Sequence, residues 1–150
     1  MHIEVDQSGK IEDLRQDTVV AFSNKEQFSV LFPKPLKREI YEGYRAKIRQ
    51  LRYRLFAICV FYCLKDYLGR KELITICREY DGKDAEIKTY LIPLIRKEHK
   101  DFDNRIIRFD ILKKDSKAHT VAILTNRRRI KPNRILSKKD ILKFLEGDSG

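Results

Sequence analysis

The sequence predicts an α/β fold: a mixed sheet of five strands in the order β-β-β-α-β-α-β-α, flanked by helices, with one extra C-terminal helix. Three observations predict it. Three segments of strand character, one alternating and two flanking a turn, precede the first helical stripe. Two further apolar runs, 73–77 and 106–112, then alternate with helical segments, which implies a mixed sheet with helices on its faces. No repeat, low-complexity stretch or linker divides the 150 residues. Residues 1–146 therefore read as one domain, with its core at 2–129, a helical extension at 135–146 and a frayed tail at 147–150.

Ile3 and Val5 alternate with polar neighbours, the period of a strand, and Gly9 ends it. Residues 10–17 are polar and read as a loop. Thr18-Val19-Val20-Ala21-Phe22 and Phe28-Ser29-Val30-Leu31-Phe32 flank a Ser23-Asn24-Lys25-Glu26 turn, so 18–32 reads as a hairpin. Pro33 and Pro35 suit a helix start. Over 35–68, Ile40, Tyr44, Ile48, Leu51, Leu55, Ile58 and Tyr62 recur every three or four residues as one apolar stripe, which predicts one long helix. Its last third is apolar nearly all round and should be buried on most sides; Gly69 stops it.

Leu73-Ile74-Thr75-Ile76-Cys77 has the composition of a central strand covered on both faces. Residues 84–98 read as a helix with Ile87, Leu91, Leu94 and Ile95 inward, kinked or broken at Pro93. A strand follows at 106–112. Lys113-Lys114-Asp115-Ser116 forms a turn with Asp115 as N-cap candidate, and 117–129 reads as a helix presenting Ala118, Val121, Ala122 and Leu124. Ser137-Lys138-Lys139-Asp140 resembles a capping box opening a short helix with Ile141, Leu142 and Leu145 apolar.

The net charge is +11 and the pI about 9.6. That excess favours polyanions, nucleic acid ahead of an anionic membrane surface. A charged fraction of 37% also suits a solvated, thermophile-like surface. Three cysteines, an odd number, point to a reducing, cytoplasmic compartment rather than a disulfide framework. Cys59 and Cys63 lie four apart with no second Cys/His pair at zinc-finger spacing, so they read as small buried hydrophobes. The N-terminus is polar and acidic, unlike a signal peptide. The longest apolar run, Leu55 to Leu64, is too short for a bilayer.

Within this basic chain, Asp6 ends an apolar strand just before Ser8-Gly9. A strand-end carboxylate among so many cations suggests a divalent metal held against a polyanion. Glu79 follows the run 73–77, with Asp81 two residues on as its competitor. Asp115 and His119 stand four apart at a helix start, on one face.

These residues and the element order resemble the ribonuclease H-like superfamily over about residues 2–129. Asp6 with Ser8-Gly9 matches its first-strand acid. Glu79 matches the next strand-borne acid, which the superfamily places beside the first strand. Asp115-Ser116-Lys117-Ala118-His119-Thr120-Val121-Ala122 is similar to the ribonuclease H pattern Asn-x-x-Ala-Asp-x-Leu-Ala, with Asp115 at the Asn and His119 at the acid, as in slicers and some resolvases. Glu39 and Glu42 lie where the ribonuclease H branch carries a first-helix acid.

The resemblance implies a nuclease using Mg²⁺ or Mn²⁺ ions about 4 Å apart. Asp6 would bridge them, Glu79 would hold one, and Asp115 and His119 would hold or orient the other. A histidine there can instead shuttle a proton. Asp6 and Glu79 must then approach within about 8 Å. Comparison with resolvases also points to a homodimer.

Two basic clusters fit a phosphate backbone. Lys34 to Arg54 holds eight basic residues and two acids, including Arg45, Arg49 and Arg52, interleaved with Tyr41, Tyr44 and Tyr53. Arg127 to Lys139 holds seven basic residues and no acid, among them Arg127, Arg128, Arg129, Lys131 and Arg134. The leading expectation is a metal-dependent nuclease acting on structured nucleic acid. A non-catalytic nucleic-acid-binding or assembly module on the same fold is the alternative, and a subunit docking an acidic protein is a third.

Overall fold

A computed structural model describes residues 2–70, 72–113 and 115–145. Among these, six strands form one mixed sheet: β1 (His2–Ser8), β2 (Thr18–Ser23), β3 (Gln27–Phe32), β4 (Leu73–Cys77), β5 (Ile107–Asp110) and β6 (Arg134–Ile135). Their order is β5-β4-β1-β2-β3-β6. β2 is antiparallel to both neighbours, and the other pairs are parallel. The helices are α1 (Lys34–Tyr44), α2 (Leu51–Leu64), α3 (Asp84–Glu98), α4 (Lys117–Asn126) and α5 (Lys138–Leu145). The frayed tail expected at 147–150, and Lys114 of the turn expected at 113–116, lie outside the described residues.

The α/β class and the mixed sheet hold, but the sheet has six strands where five were expected. The sixth forms because the chain after α4 runs along the free edge of β3. Asn133 Oδ1 accepts the Ser29 N–H at 2.8 Å, Arg134 pairs with Val30, and the Leu136 N–H reaches the Leu31 carbonyl at 2.9 Å. Two ladder residues are too few to show strand alternation in sequence.

Alternation along the strands divides the molecule. Ile3, Val5, Val20, Phe22, Ile74, Ile76, Ile107 and Phe109 face a core shared with α2, α3 and α5. Val19, Ala21 and Leu31 face the other way and meet Val121 and Ala122 of α4, which packs across β1, β2 and β3. Every residue from Leu55 to Leu64 is buried, because α2 lies between the sheet, α3 and α5. No helix of the described residues is long and apolar enough to cross a membrane.

The single helix expected over 35–68 is two. α1 ends at Tyr44, and Gln50 caps α2 in the left-handed region at φ 58°. Gly43 weakens the last turn of α1, and Arg45 and Arg49 would repel four apart on a continuous helix. Tyr44 and Ile48 still pack on the core, so the apolar stripe crosses the break unmarked. α3, by contrast, runs through Pro93 without interruption. Pro93 and Thr89 are exposed, so the carbonyl that loses its donor faces water.

At the start of α4 the N-cap is Ser116, not Asp115. The helix ends at Asn126 rather than 129 because Arg128 turns left-handed at φ 60° and the Arg129 N–H bonds back to the Leu124 carbonyl at 2.8 Å. The capping box of α5 is formed as predicted. The Asp140 N–H donates to Ser137 Oγ at 3.2 Å, and the Ser137 N–H donates to Asp140 Oδ2 at 3.0 Å.

One residue of the first basic cluster is not on the surface. Lys37 is fully buried, and its ammonium donates to the carbonyls of Lys10, Asp13 and Gln16 and to the Thr18 hydroxyl at 2.7–3.1 Å. Burial pushes its pKa down to about 8. This side chain ties α1 to the β1–β2 loop. Lys37→Met removes a donor from all four, although the Lys10 carbonyl keeps the Asp13 N–H and the Thr18 hydroxyl, at about 1–3 kcal/mol for each left dry and unbonded, offset by relief of the buried charge. We predict a net loss of at least about 2 kcal/mol by urea denaturation, with faster amide exchange over residues 10–17. An unchanged midpoint would show that the lysine does not hold the loop.

Candidate metal centre

In the parallel pairing of β1 with β4, Val5 stands opposite Ile76, and both point into the core. The next residues, Asp6 and Cys77, therefore emerge on the α4 side of the sheet. Glu79, two residues beyond Cys77, comes to the same place. Ligand atoms of Asp6, Cys77 and Glu79 all lie within 4.8 Å of one another, well inside the 8 Å limit set above. The cluster sits at the carboxyl ends of two adjacent parallel strands, where α/β sheets generally place ligands.

Neighbours of Glu79 fix the chain there. The Arg78 guanidinium meets Asp84 at 3.0 Å. The Tyr80 ring packs edge-on against Tyr53 and Phe56, and its hydroxyl donates to Glu12 at 3.1 Å.

Asp6 is 3% exposed. Its Oδ1 accepts the Gln7 backbone N–H and its Oδ2 contacts His119 Nδ1, each at 2.7 Å. An ionised carboxylate only accepts, so His119 donates from Nδ1, leaving Nε2 as the unused nitrogen on a ring 37% exposed. Among the described residues no Lys or Arg forms an ion pair with Asp6 or Glu79. Burial, and then the charge of Asp6, push the Glu79 carboxyl up to about 6. Burial pushes the Cys77 thiol up to about 12.

The turn after Asp6 is clamped from α4. Gly9 has φ +82°, and a Cβ there would lie 2.2 Å from the Asp17 carbonyl oxygen, so no other residue fits without moving the backbone. Asn126 Nδ2 donates to the Ser8 carbonyl at 2.9 Å and to Ser8 Oγ at 3.2 Å. Arg128 meets Asp17 at 3.1 Å.

The structure thus brings together Asp6, Glu79 and His119, and adds Cys77, which the sequence reading passed over. Only the β1–β4 register, which sets Cys77 one residue past the Val5–Ile76 pair, brings its thiol to Asp6. Asp115 is exposed on the turn before α4 and lines a separate groove with Glu4, Asp110 and Lys117. Ser116 bonds Glu4 there at 3.0 Å. Asp81 is exposed in the turn after Tyr80. Glu39 pairs with Lys138 at 3.2 Å, and Glu42 is exposed on α1. None of these four belongs to the Asp6 cluster.

Arg128, Arg129 and Lys131 line a shallow hollow with Leu31 and Thr125, and Arg127 is exposed beside it. Arg134 is engaged elsewhere, by Asp140 at 2.9 Å and the Tyr62 ring at 4.5 Å. Arg45 and Arg49 are exposed between α1 and α2. Arg52 bonds the Tyr53 hydroxyl at 2.9 Å and reaches Glu12 at 3.5 Å. Tyr53 is buried, and Tyr41 and Tyr44 pack against the core, so all three interleaved tyrosines serve packing.

No family model, curated protein or solved structure matches the chain. The side chains themselves fit a divalent cation. Two carboxylates converge next to a thiol and an imidazole, and among the described residues neither forms an ion pair with Lys or Arg, although the Lys10 charge is felt at Glu79.

A carboxyl with a higher pKa folded than unfolded binds its proton more tightly in the native state. Stability then falls as pH rises from the ordinary 4.5 to about 6. Glu79→Gln removes that loss. At pH 7–8 without metal we expect the variant to exceed the wild type by about 1–2 kcal/mol, with this advantage fading below about pH 4. A difference that stays constant across urea melts at several pH values would remove Glu79 as its source.

Proposed function

We propose that this protein is a metal-dependent nuclease of the ribonuclease H-like superfamily, cleaving phosphodiester bonds in structured nucleic acid. The carrying observation is the approach of the Asp6 and Glu79 carboxylates to within 4.8 Å at the ends of neighbouring strands. That adjacency is what the ribonuclease H-like resemblance requires of its two strand-borne acids. The presence of His119 on Asp6 supports the same reading.

Mg²⁺ or Mn²⁺, when bound, supplies an activated water and charge stabilisation for the leaving oxygen. The chain's own part is distinct. Asp6 and Glu79 offer oxygen ligands of the kind these hard ions take. His119, held through Nδ1, leaves Nε2 outside the Asp6 contact and available to pass a proton. Arg127, Arg129 and Lys131 follow Asn126, which contacts the Ser8-Gly9 turn, and in this reading they neutralise phosphates of the bound backbone. Such contacts give affinity with little sequence preference.

Cleavage assays on branched DNA, RNA/DNA hybrid and single strands, with and without Mn²⁺, test this. We expect metal-dependent cleavage of at least one substrate, its loss in Asp6→Asn, and a drop of about 10–100-fold in His119→Ala, because removing a residue that orients a metal ligand typically costs that much. Metal-independent binding without cleavage of any substrate would favour the non-catalytic module instead. Changing Arg127, Arg128 and Arg129 together to Ala should reduce the slope of log affinity against log salt by about 2–3. An unchanged slope would take them out of the interface.

A further inference from the structure

We propose that Cys77 makes this centre a site for thiophilic divalent cations such as Zn²⁺, held by the Cys77 thiolate together with the Asp6 and Glu79 carboxylates. The thiophilic site rests on the metal-centre reading above, but not on nuclease activity. The three cysteines differ sharply in surroundings. Cys59 and Cys63 are fully buried in α2, within an apolar core. Cys77 is partly exposed, and of the three thiols it alone belongs to a cluster of ligand atoms among the described residues.

Donor chemistry then separates the ions. Mg²⁺ takes oxygen ligands almost exclusively and holds its waters tightly. Zn²⁺ accepts a mixed set of sulfur and oxygen, and a thiolate raises affinity for it over hard ions. Asp6 and Glu79 lie close together beside the Cys77 thiol, with no Lys or Arg ion pair among the described residues, so the three converging donors favour a cation whichever its type. On coordination the Cys77 S–H bond breaks, a Zn–S bond forms, and the proton leaves to solvent. No electron changes hands.

Zn²⁺ bound in this way occupies the carboxylates that Mg²⁺ or Mn²⁺ would use. Trace Zn²⁺ is therefore expected to inhibit any hard-ion-dependent activity of this site, and Cys77→Ser to relieve that inhibition.

X-ray absorption at the zinc edge, on the full chain with one equivalent of Zn²⁺ and no nucleic acid, tests the assignment. We expect one sulfur at about 2.3 Å with oxygen or nitrogen ligands near 2.0–2.2 Å. The sulfur shell should vanish in Cys77→Ser, and Zn²⁺ affinity should fall by more than about tenfold, since loss of a direct ligand should exceed loss of an outer-shell partner. An oxygen- and nitrogen-only shell in the wild type overturns the proposal. So does a two-sulfur shell, or a sulfur shell that persists in Cys77→Ser, either of which would bring in Cys59 or Cys63. Should Cys77→Ser fail to fold, Asp6→Asn serves: unchanged Zn²⁺ affinity by competition with a chromophoric chelator overturns the site, and a fall supports it. A protein that cuts nothing but shows the single sulfur keeps this site and loses the nuclease reading. A protein active with Mg²⁺ but lacking the sulfur does the reverse.

Discussion

Burying Ile3 and Val5 beside Ile74 and Ile76 forces Asp6 and Cys77 out on the opposite side of the sheet. Because side chains alternate along a strand, a one-residue slip of β1 would drive the Asp6 carboxylate into the core under α2 and turn the aliphatic pair outward. Each of the four aliphatic side chains gains about 1.5–3 kcal/mol from burial. Burial of Glu79, and then the neighbouring Asp6 charge, push its carboxyl up to about 6, a cost on the order of 1–2 kcal/mol at neutral pH. Core packing therefore outweighs the discomfort of the acids and holds them together. A divalent cation would remove that cost, which is the energetic reason for reading the cluster as a cation site.

The loop after Asp6 is held by polar contacts as well as by the Ile11 side chain, which is fully buried in the core. Gly9 permits the turn, Asn126 grips it from α4, and Lys37 gathers three carbonyls of residues 10–16 from α1. Helices on both sides of the sheet thus converge on the segment that leaves the candidate centre. A carboxylate intended for metal must not relax toward solvent when no metal is present, and this double anchoring opposes such relaxation. The His119 contact does the same for the side chain itself, by holding one oxygen of Asp6 and leaving the other toward the backbone of Gln7.

The legible parts of the sequence were those with a local period. Alternation at Ile3 and Val5 exposed β1, the apolar run at 73–77 exposed β4, and Asp6 and Glu79 followed as acids at strand ends. The Ser137–Asp140 capping box was readable because its bonds span three residues. What escaped depended on contacts distant in sequence. Cys77 gains meaning only from the β1–β4 register, 71 positions away. Lys37 looked like one more surface cation, since nothing local announces the carbonyls that surround it. The break at Gln50 was hidden because Tyr44 and Ile48 keep the apolar rhythm on either side of it. Asp115 had the right spacing to His119, yet the chain cannot show from spacing alone that the N-cap is one residue later and that Asp115 faces a different groove.

The central claim is that Asp6 and Glu79 jointly ligate a divalent ion. Anomalous diffraction from crystals soaked in Mn²⁺ tests it most directly. The account predicts a strong manganese peak within roughly 2 Å of carboxylate oxygens from both residues. A map with ordered Asp6 and Glu79 side chains and no anomalous density between them, at Mn²⁺ concentrations that occupy other surface sites, would contradict it.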